Sequence, residues 1–227
     1  MLGLKKSPGH SNRRNRVVIP HLVYFADPMC SWCWGFSPTI DAIAKAHPDL
    51  AIRLVLGGLR PFNDRPMDEQ AKAEIRHHWE HVEAASGQPF DYAFFDRESF
   101  VYDTEPAARA VVAARRLDPA HVFPLKQRIS RAFYAENRDV TKREVLANLA
   151  VAEGLDRDAF LPAFDDEATK QETLADFAVT QSSGVTGFPT LVAGPVDGRE
   201  GHYAALAIGF RPADQVLAAI EAFLGAN

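Results

Sequence analysis

The 227-residue chain has two cysteines, Cys30 and Cys33, set three positions apart. That spacing suits a reversible redox pair, half of a four-ligand zinc site, or two inert thiols. It does not suit a disulfide framework, because a bridge between such close neighbours staples nothing distant. Zinc would need two further ligands, and the chain offers no second cysteine pair, only histidines. Redox exchange is therefore the favoured chemistry. A second constellation, His77-His78-Trp79-Glu80-His81, has the H-x-x-E-H spacing of inverted zinc peptidases and puts His77 and His81 one helical turn apart. It lacks an evident third ligand, and Lys72, Glu74, Arg76 and Glu83 mark the same helix as charged. A solvated or substrate-facing surface is the expectation there, with no metal site.

The elements around the cysteines give them their chemistry. Residues 21–26 are rich in β-branched and aromatic side chains and end at Asp27-Pro28, which predicts a buried strand closed by a turn. Apolar residues at helical spacing then predict a helix over 31–47, stopped by Pro48. Cys30 falls at or just before that helix, where unpaired N–H groups and the positive dipole end favour a thiolate. Cys30 is accordingly expected to ionise more easily than a free cysteine, with Cys33 shielded one turn in. Cys33 can then attack a mixed disulfide on Cys30 and release the product, a step closed to a lone cysteine.

A second strand is predicted over 51–56, parallel to the first because a helix joins the two. From about 68 to 182 the sequence reads as helical, with segments at 68–86, 104–117, 120–136, 142–153, 157–164 and 168–181. Asp118-Pro119 starts one of these, and Thr141 with Glu144 reads as a capping box. Residues 190–193 and 203–208 should pair as a hairpin, turning through Gly194-Pro195 and Asp197-Gly198, before a last amphipathic helix over 212–224. The reading is an α/β fold interrupted by a helical insertion: 17–66 and 183–227 as one discontinuous domain, 67–182 as the inserted one.

The composition excludes other classes. A net charge of -5 and a pI near 5.9 offer no basic field for nucleic acid. No apolar run approaches the ~20 residues that span a bilayer, so no membrane partner is expected. Residues 1–16 carry Lys5, Lys6, Arg13, Arg14 and Arg16, and read as a flexible basic tail in preference to a targeting segment. A cytoplasmic location follows as the expectation.

The stretch Asp27-Pro28-Met29-Cys30-Ser31-Trp32-Cys33-Trp34-Gly35-Phe36 resembles the active-site region of DsbA-like oxidoreductases of the thioredoxin superfamily, particularly their FrnE-like branch. Gly184-Val185-Thr186-Gly187-Phe188-Pro189-Thr190 resembles the cis-proline loop of that superfamily, and Gly209-Phe210-Arg211-Pro212 its turn into the last helix. The resemblance implies a thioredoxin-like fold with an inserted all-helical domain. It also implies Cys30 as nucleophile, Cys33 as resolving residue, and Ser31, Trp32, Phe188 and Pro189 as substrate-binding positions. The backbone of Phe188 would pair with an extended substrate segment, and Trp32, Trp34, Phe36 and Phe188 would gather near the cysteines as an apolar rim, though a core place suits Trp34 and Phe36 equally. The aromatic run 90–95 reads as core ahead of groove lining.

Many relatives carry a buried acid six positions before the first cysteine, where this chain has Tyr24. The acceptor for the Cys33 proton is thereby in question; Asp27 is a substitute, although shaping the Asp-Pro turn is its simpler role. The expected activity is exchange with protein or peptide disulfides, as oxidoreductase or isomerase. It needs no cofactor beyond the redox-active Cys30–Cys33 disulfide, with glutathione as a candidate reductant, and the sequence names no redox partner. The alternative is a kappa-class-like glutathione transferase or isomerase acting on a small molecule. Those enzymes typically have serine in place of Cys30, so the intact pair speaks against it.

Overall fold

The computed structural model describes residues 20–196, 199 and 201–226. The basic tail at 1–16 lies outside the described residues, as do Asp197 and Gly198 of the expected turn. Four strands form one sheet in the order β2-β1-β3-β4: β1 (His21–Ala26), β2 (Ile52–Leu56), β3 (Thr190–Gly194) and β4 (Ala204–Ile208). β1 and β2 run parallel, with Tyr24 opposite Leu54, while β3 is antiparallel to both β1 and β4, with Leu191 opposite Tyr24. β1 therefore lies between β2, which follows it in sequence, and β3, which returns from the far side of the helical segment. Alternation along β1 divides its side chains between two faces. Leu22, Tyr24 and Ala26 enter the main core, whereas Val23 and Phe25 join Val55 in a smaller cluster on the other side.

The helix expected over 31–47 is broken into α1 (Ser31–Gly35) and α2 (Ser37–Ala46) at Phe36. Pro38 stands at the start of α2, and its ring and missing N–H interrupt a continuous ladder. α2 brings Ile40 and Ile43 against β1 and against α9 (Ala213–Ala226), whose Val216, Ile220 and Phe223 complete that side of the core.

Between β2 and β3 lie α3 (Glu69–Ser86), α4 (Glu105–Leu117), α5 (Val122–Tyr134), α6 (Arg143–Ala152), α7 (Arg157–Asp165) and α8 (Glu167–Ser182). Several start on side-chain caps: Asp68 accepts from the Ala71 amide at 2.8 Å, Asp156 from Asp158 at 2.8 Å and Asp166 from Ala168 at 3.2 Å. The capping box expected at Thr141 and Glu144 is not formed. The Thr141 hydroxyl donates instead to Asp139 at 2.6 Å, and α6 begins after Lys142 without a side-chain cap. Asp118-Pro119 opens a short 3-10 turn, Pro119–His121, before α5.

These helices are joined to the sheet. Arg115 of α4 holds Asp176 of α8 at 2.7 Å, and the same carboxylate oxygen accepts from the Leu56 amide of β2 at 3.0 Å. One buried cluster runs continuously from β1 through α4 and α5. Trp79 of α3, almost wholly buried, packs its ring 5.0 Å from Phe94 and 5.1 Å from Tyr134, so the aromatic run 90–95 contributes to core packing.

Candidate active site

Cys30 is the residue preceding α1, in an extended conformation at φ -98° and ψ 120°. The Asp27-Pro28 turn leads into it. One Asp27 carboxylate oxygen accepts from the Met29 amide at 2.8 Å and the other from the Leu59 amide at 2.9 Å. Asp27 is thus the brace that ties the loop after β1 to the loop after β2. Complete burial pushes its carboxyl above the ordinary range, against the opposing pull of those amides, the Thr104 hydroxyl and Lys126.

The two sulfurs lie in different surroundings. Cys30 is the outer one at 6% exposure, and Cys33 is fully enclosed. The Cys30 thiol reaches the Phe188 carbonyl oxygen at 3.7 Å. Phe188 is joined to Pro189 by a cis peptide bond at the entry to β3, and this places the far end of the chain beside Cys30. The Phe188 ring points elsewhere, over Gly57, so closely that a Cβ built on Gly57 would fall 2.2 Å from its Cζ.

The two thiols form one pair, in which the group that carries the proton between them is the less acidic. Cys30 is raised, first by its side-chain interaction with Cys33 and then by burial. Cys33 is lowered: burial opposes its ionisation, but the Cys30 thiol, the nearby Lys126 ammonium and the Asp27 amide together outweigh that cost. A buried cation stands on the Cys33 side.

That cation comes from α5, which touches the cysteine loop at several polar points. Lys126 is 1% exposed and donates from Nζ to the Cys33 carbonyl oxygen at 3.2 Å; Ser130, one turn later, donates to the Pro28 carbonyl at 2.8 Å. Tyr134 at the end of α5 meets the Tyr102 hydroxyl at 3.1 Å, and Tyr102 donates to the Met29 carbonyl at 2.6 Å. Burial drives both phenols up, so they remain protonated donors. None of these four residues stands out as part of a motif. The available signal lay in α5 itself, where Lys126 and Ser130 occupy the stripe otherwise filled by Val122, Ile129 and Phe133.

The remaining expected site residues separate. Ser31 and Trp32 are partly exposed, and the Trp32 ring lies 5.7 Å from Phe210, at the turn into α9. Trp34 and Phe36 are buried: the Trp34 indole donates to the Pro89 carbonyl at 3.1 Å, and Phe36 packs 5.9 Å from Tyr24. The apolar rim is therefore Trp32 with Phe210, while Trp34, Phe36 and the Phe188 ring are packing residues. Pro189 is buried beneath its loop. His77 and His81 stand exposed with ring centroids 4.1 Å apart, and among the described residues no group of three or more His, Cys, Asp or Glu is arranged to hold a metal ion.

Comparison with known proteins agrees with this geometry. The family model of the DSBA-like thioredoxin domain matches residues 21–221. A candidate protein disulfide isomerase of Nitrosomonas europaea is 36% identical, with a TM-score of 0.83 over 91% of this chain and 98% of its own. The cytosolic disulfide reductase DsbM of Pseudomonas aeruginosa is 32% identical, with a TM-score of 0.75 over 91% of this chain and 100% of its own, and has also been solved with GSH. A curated relative, the ClpXP adapter protein SpxH of Halalkalibacterium halodurans, is 23% identical over 74% of this chain and 56% of its own length. The chain thus spans about half the length of the curated relatives it matches.

Proposed function

From the premise that this chain belongs to the DSBA-like thioredoxin domain family, we propose that it is a thiol–disulfide oxidoreductase in which Cys30 attacks a substrate disulfide and Cys33 resolves the mixed disulfide. The observation that carries this reading is the unequal placement of the two sulfurs, the outer one against the Phe188 carbonyl and the inner one enclosed. An entering disulfide meets Cys30 first. Cys30 attacks one substrate sulfur, its proton passing to a neighbouring group, the substrate S–S bond breaks, and the first substrate sulfur leaves as a thiol. Cys33 then gives up a proton, forms the Cys30–Cys33 bond, and releases the second substrate sulfur as a thiol. The loop before β3 offers the Phe188 backbone to an extended peptide, and Trp32 with Phe210 offers it an apolar edge.

The direction we favour is reduction of protein or peptide disulfides in a reducing, cytoplasmic compartment, with glutathione as electron source. Two observations support it: Ser31-Trp32 between the cysteines provides no imidazolium to stabilise a Cys30 thiolate, and the 32% identical DsbM is a cytosolic disulfide reductase also solved with GSH. Among the described residues no helix is long and apolar enough to cross a membrane.

The test is insulin reduction, with glutathione and glutathione reductase supplying electrons, run beside glutathione conjugation to an aryl halide. The proposal predicts insulin precipitation that requires Cys30, and no conjugation. Conjugation that survives Cys30→Ser, with insulin left intact by the wild type, would replace this reading by the glutathione transferase one.

A further inference from the structure

The loop over 57–67 returns from β2 towards α3 past the cysteine loop, and its backbone is held at several points. The Leu59 amide donates to Asp27 at 2.9 Å, the Arg60 amide to the Thr104 hydroxyl at 3.0 Å and the Phe62 amide to Asp103 at 2.8 Å. Phe62 adopts a left-handed conformation at φ 61°, which costs energy in a residue other than glycine and persists only where its surroundings enforce it. This fixed loop presents a guanidinium. Arg60 lies over the Tyr102 ring, 5.1 Å from its centroid, and the Tyr102 hydroxyl donates at 2.6 Å to the carbonyl of Met29, the residue before Cys30. One aromatic ring therefore joins Arg60 to the cysteine loop.

Arg60, Arg65, Met67 and Tyr102 line a cavity of about 560 Å³ beside that loop, with both arginines exposed. Among the described residues neither guanidinium has a carboxylate within ion-pairing distance. The nearby acids are already used: Asp68, on the cavity wall, caps α3 by accepting from Ala71 at 2.8 Å, and one Asp103 oxygen accepts from the amides of Phe62 and Glu105. Arg115, by contrast, spends its guanidinium on Asp176 and Glu172. A guanidinium stacked on a ring keeps its in-plane N–H groups, has given up part of its rotamer freedom in advance, and fits a carboxylate through two parallel hydrogen bonds.

We propose that Arg60 is a specificity-determining residue that takes a carboxylate carried by the disulfide substrate near its reacting sulfur, with Arg65 adding to the local positive field. This rests on the exchange reading above. An extended peptide advances ~3.3 Å per residue, so an acid a few residues from a cysteine bonded to Cys30 reaches the cavity. The same carboxylate chemistry has two sources, an acidic side chain beside the substrate cysteine or glutathione joined to the substrate in a mixed disulfide. The net charge of -5 on the chain disfavours acidic substrates as a whole, so a preference for them has to come from a cation placed at the site.

The experiment is single-turnover reaction of the prereduced protein with disulfides of one peptide, read by chromatography of the released thiol. The peptide carries Glu, Gln or Lys around its cysteine as a homodisulfide, and the Gln form is also joined to glutathione. The ratio of carboxylate-bearing to neutral rates in the wild type should exceed that in Arg60→Gln by about fivefold at low salt and shrink as salt is added. Arg60→Glu should turn the preference towards the Lys peptide. A gain confined to the Glu peptide supports the proposal with a protein side chain as the source, and one confined to the glutathione conjugate supports it with glutathione as the source. Equal ratios in the wild type and a folded Arg60→Gln protein overturn the proposal and leave the exchange reading standing. So do wild-type ratios that do not move with salt, a result that needs no variant. A wild type that reduces none of the disulfides overturns the exchange reading itself, and the role of Arg60 with it.

Discussion

The two sulfurs of the Cys30–Cys33 pair are served by different kinds of structure. Around Cys30 the environment is mostly backbone: the Phe188 carbonyl, the start of α1, and the loop entering β3. Around Cys33 it is made of side chains, with Lys126 from α5, Tyr24 from β1 and Asp27 from the turn after β1. The difference suits the two roles proposed for the sulfurs. A sulfur that meets many substrates is suited by main-chain groups that any peptide can pair with. A sulfur that works inside, on one partner, needs its proton controlled, and in a closed site that requires particular ionisable groups.

The comparison can be broken most completely at Cys30. Cys30→Ser removes the attacking thiol, and disulfide exchange should fall by about 1,000-fold or more, read as the initial rate of insulin reduction. Gly57→Ala disturbs the same side more gently. The new Cβ collides with the Phe188 ring, and displacing that ring should cost about 1–3 kcal/mol in urea unfolding and slow attack by Cys30 more than resolution by Cys33. The reverse outcome would mean that the Phe188 loop does not govern access to Cys30.

On the Cys33 side, the effect on stability depends on pH. The Lys126 amine is held below its unfolded value of 10.5 by burial. Between the folded and unfolded values the unfolded chain binds more protons, so this group makes stability rise with pH through that window; its contribution is complete above 10.5 and is lost as pH falls through the folded value. Urea melts of Lys126→Met and wild type should therefore converge as the pH is raised, with the variant relatively more stable at neutral pH. Divergence with rising pH would contradict the lowering of the amine by burial. The smallest effect belongs to Ser130→Ala, which removes the donor to the Pro28 carbonyl and should cost about 1 kcal/mol, with little change in either step of exchange.

The Cys30 side was largely legible in the sequence. Strand residues 21–26, the Asp27-Pro28 turn and the Phe188-Pro189 loop are each local patterns, and each lies where its pattern placed it. The helix break at Phe36 was visible as Pro38 but masked by apolar residues that keep helical spacing across it. Thr141 failed as a cap because Asp139, two residues earlier, takes its hydroxyl. The Cys33 side was not legible, because Lys126 lies 93 residues from the carbonyl it bonds, and a lysine on a helix ordinarily faces solvent. Only packing α5 beneath α1 turns it inward.

The central claim is that the outer sulfur attacks and the inner one resolves. It is tested most directly by incubating reduced Cys33→Ser with a disulfide-bridged peptide and mapping the adduct by mass spectrometry. The account predicts a stable mixed disulfide between the peptide and Cys30, absent from the wild type, where Cys33 releases it. A Cys33→Ser protein that forms no adduct, set against a Cys30→Ser protein that traps the peptide on Cys33, would contradict it.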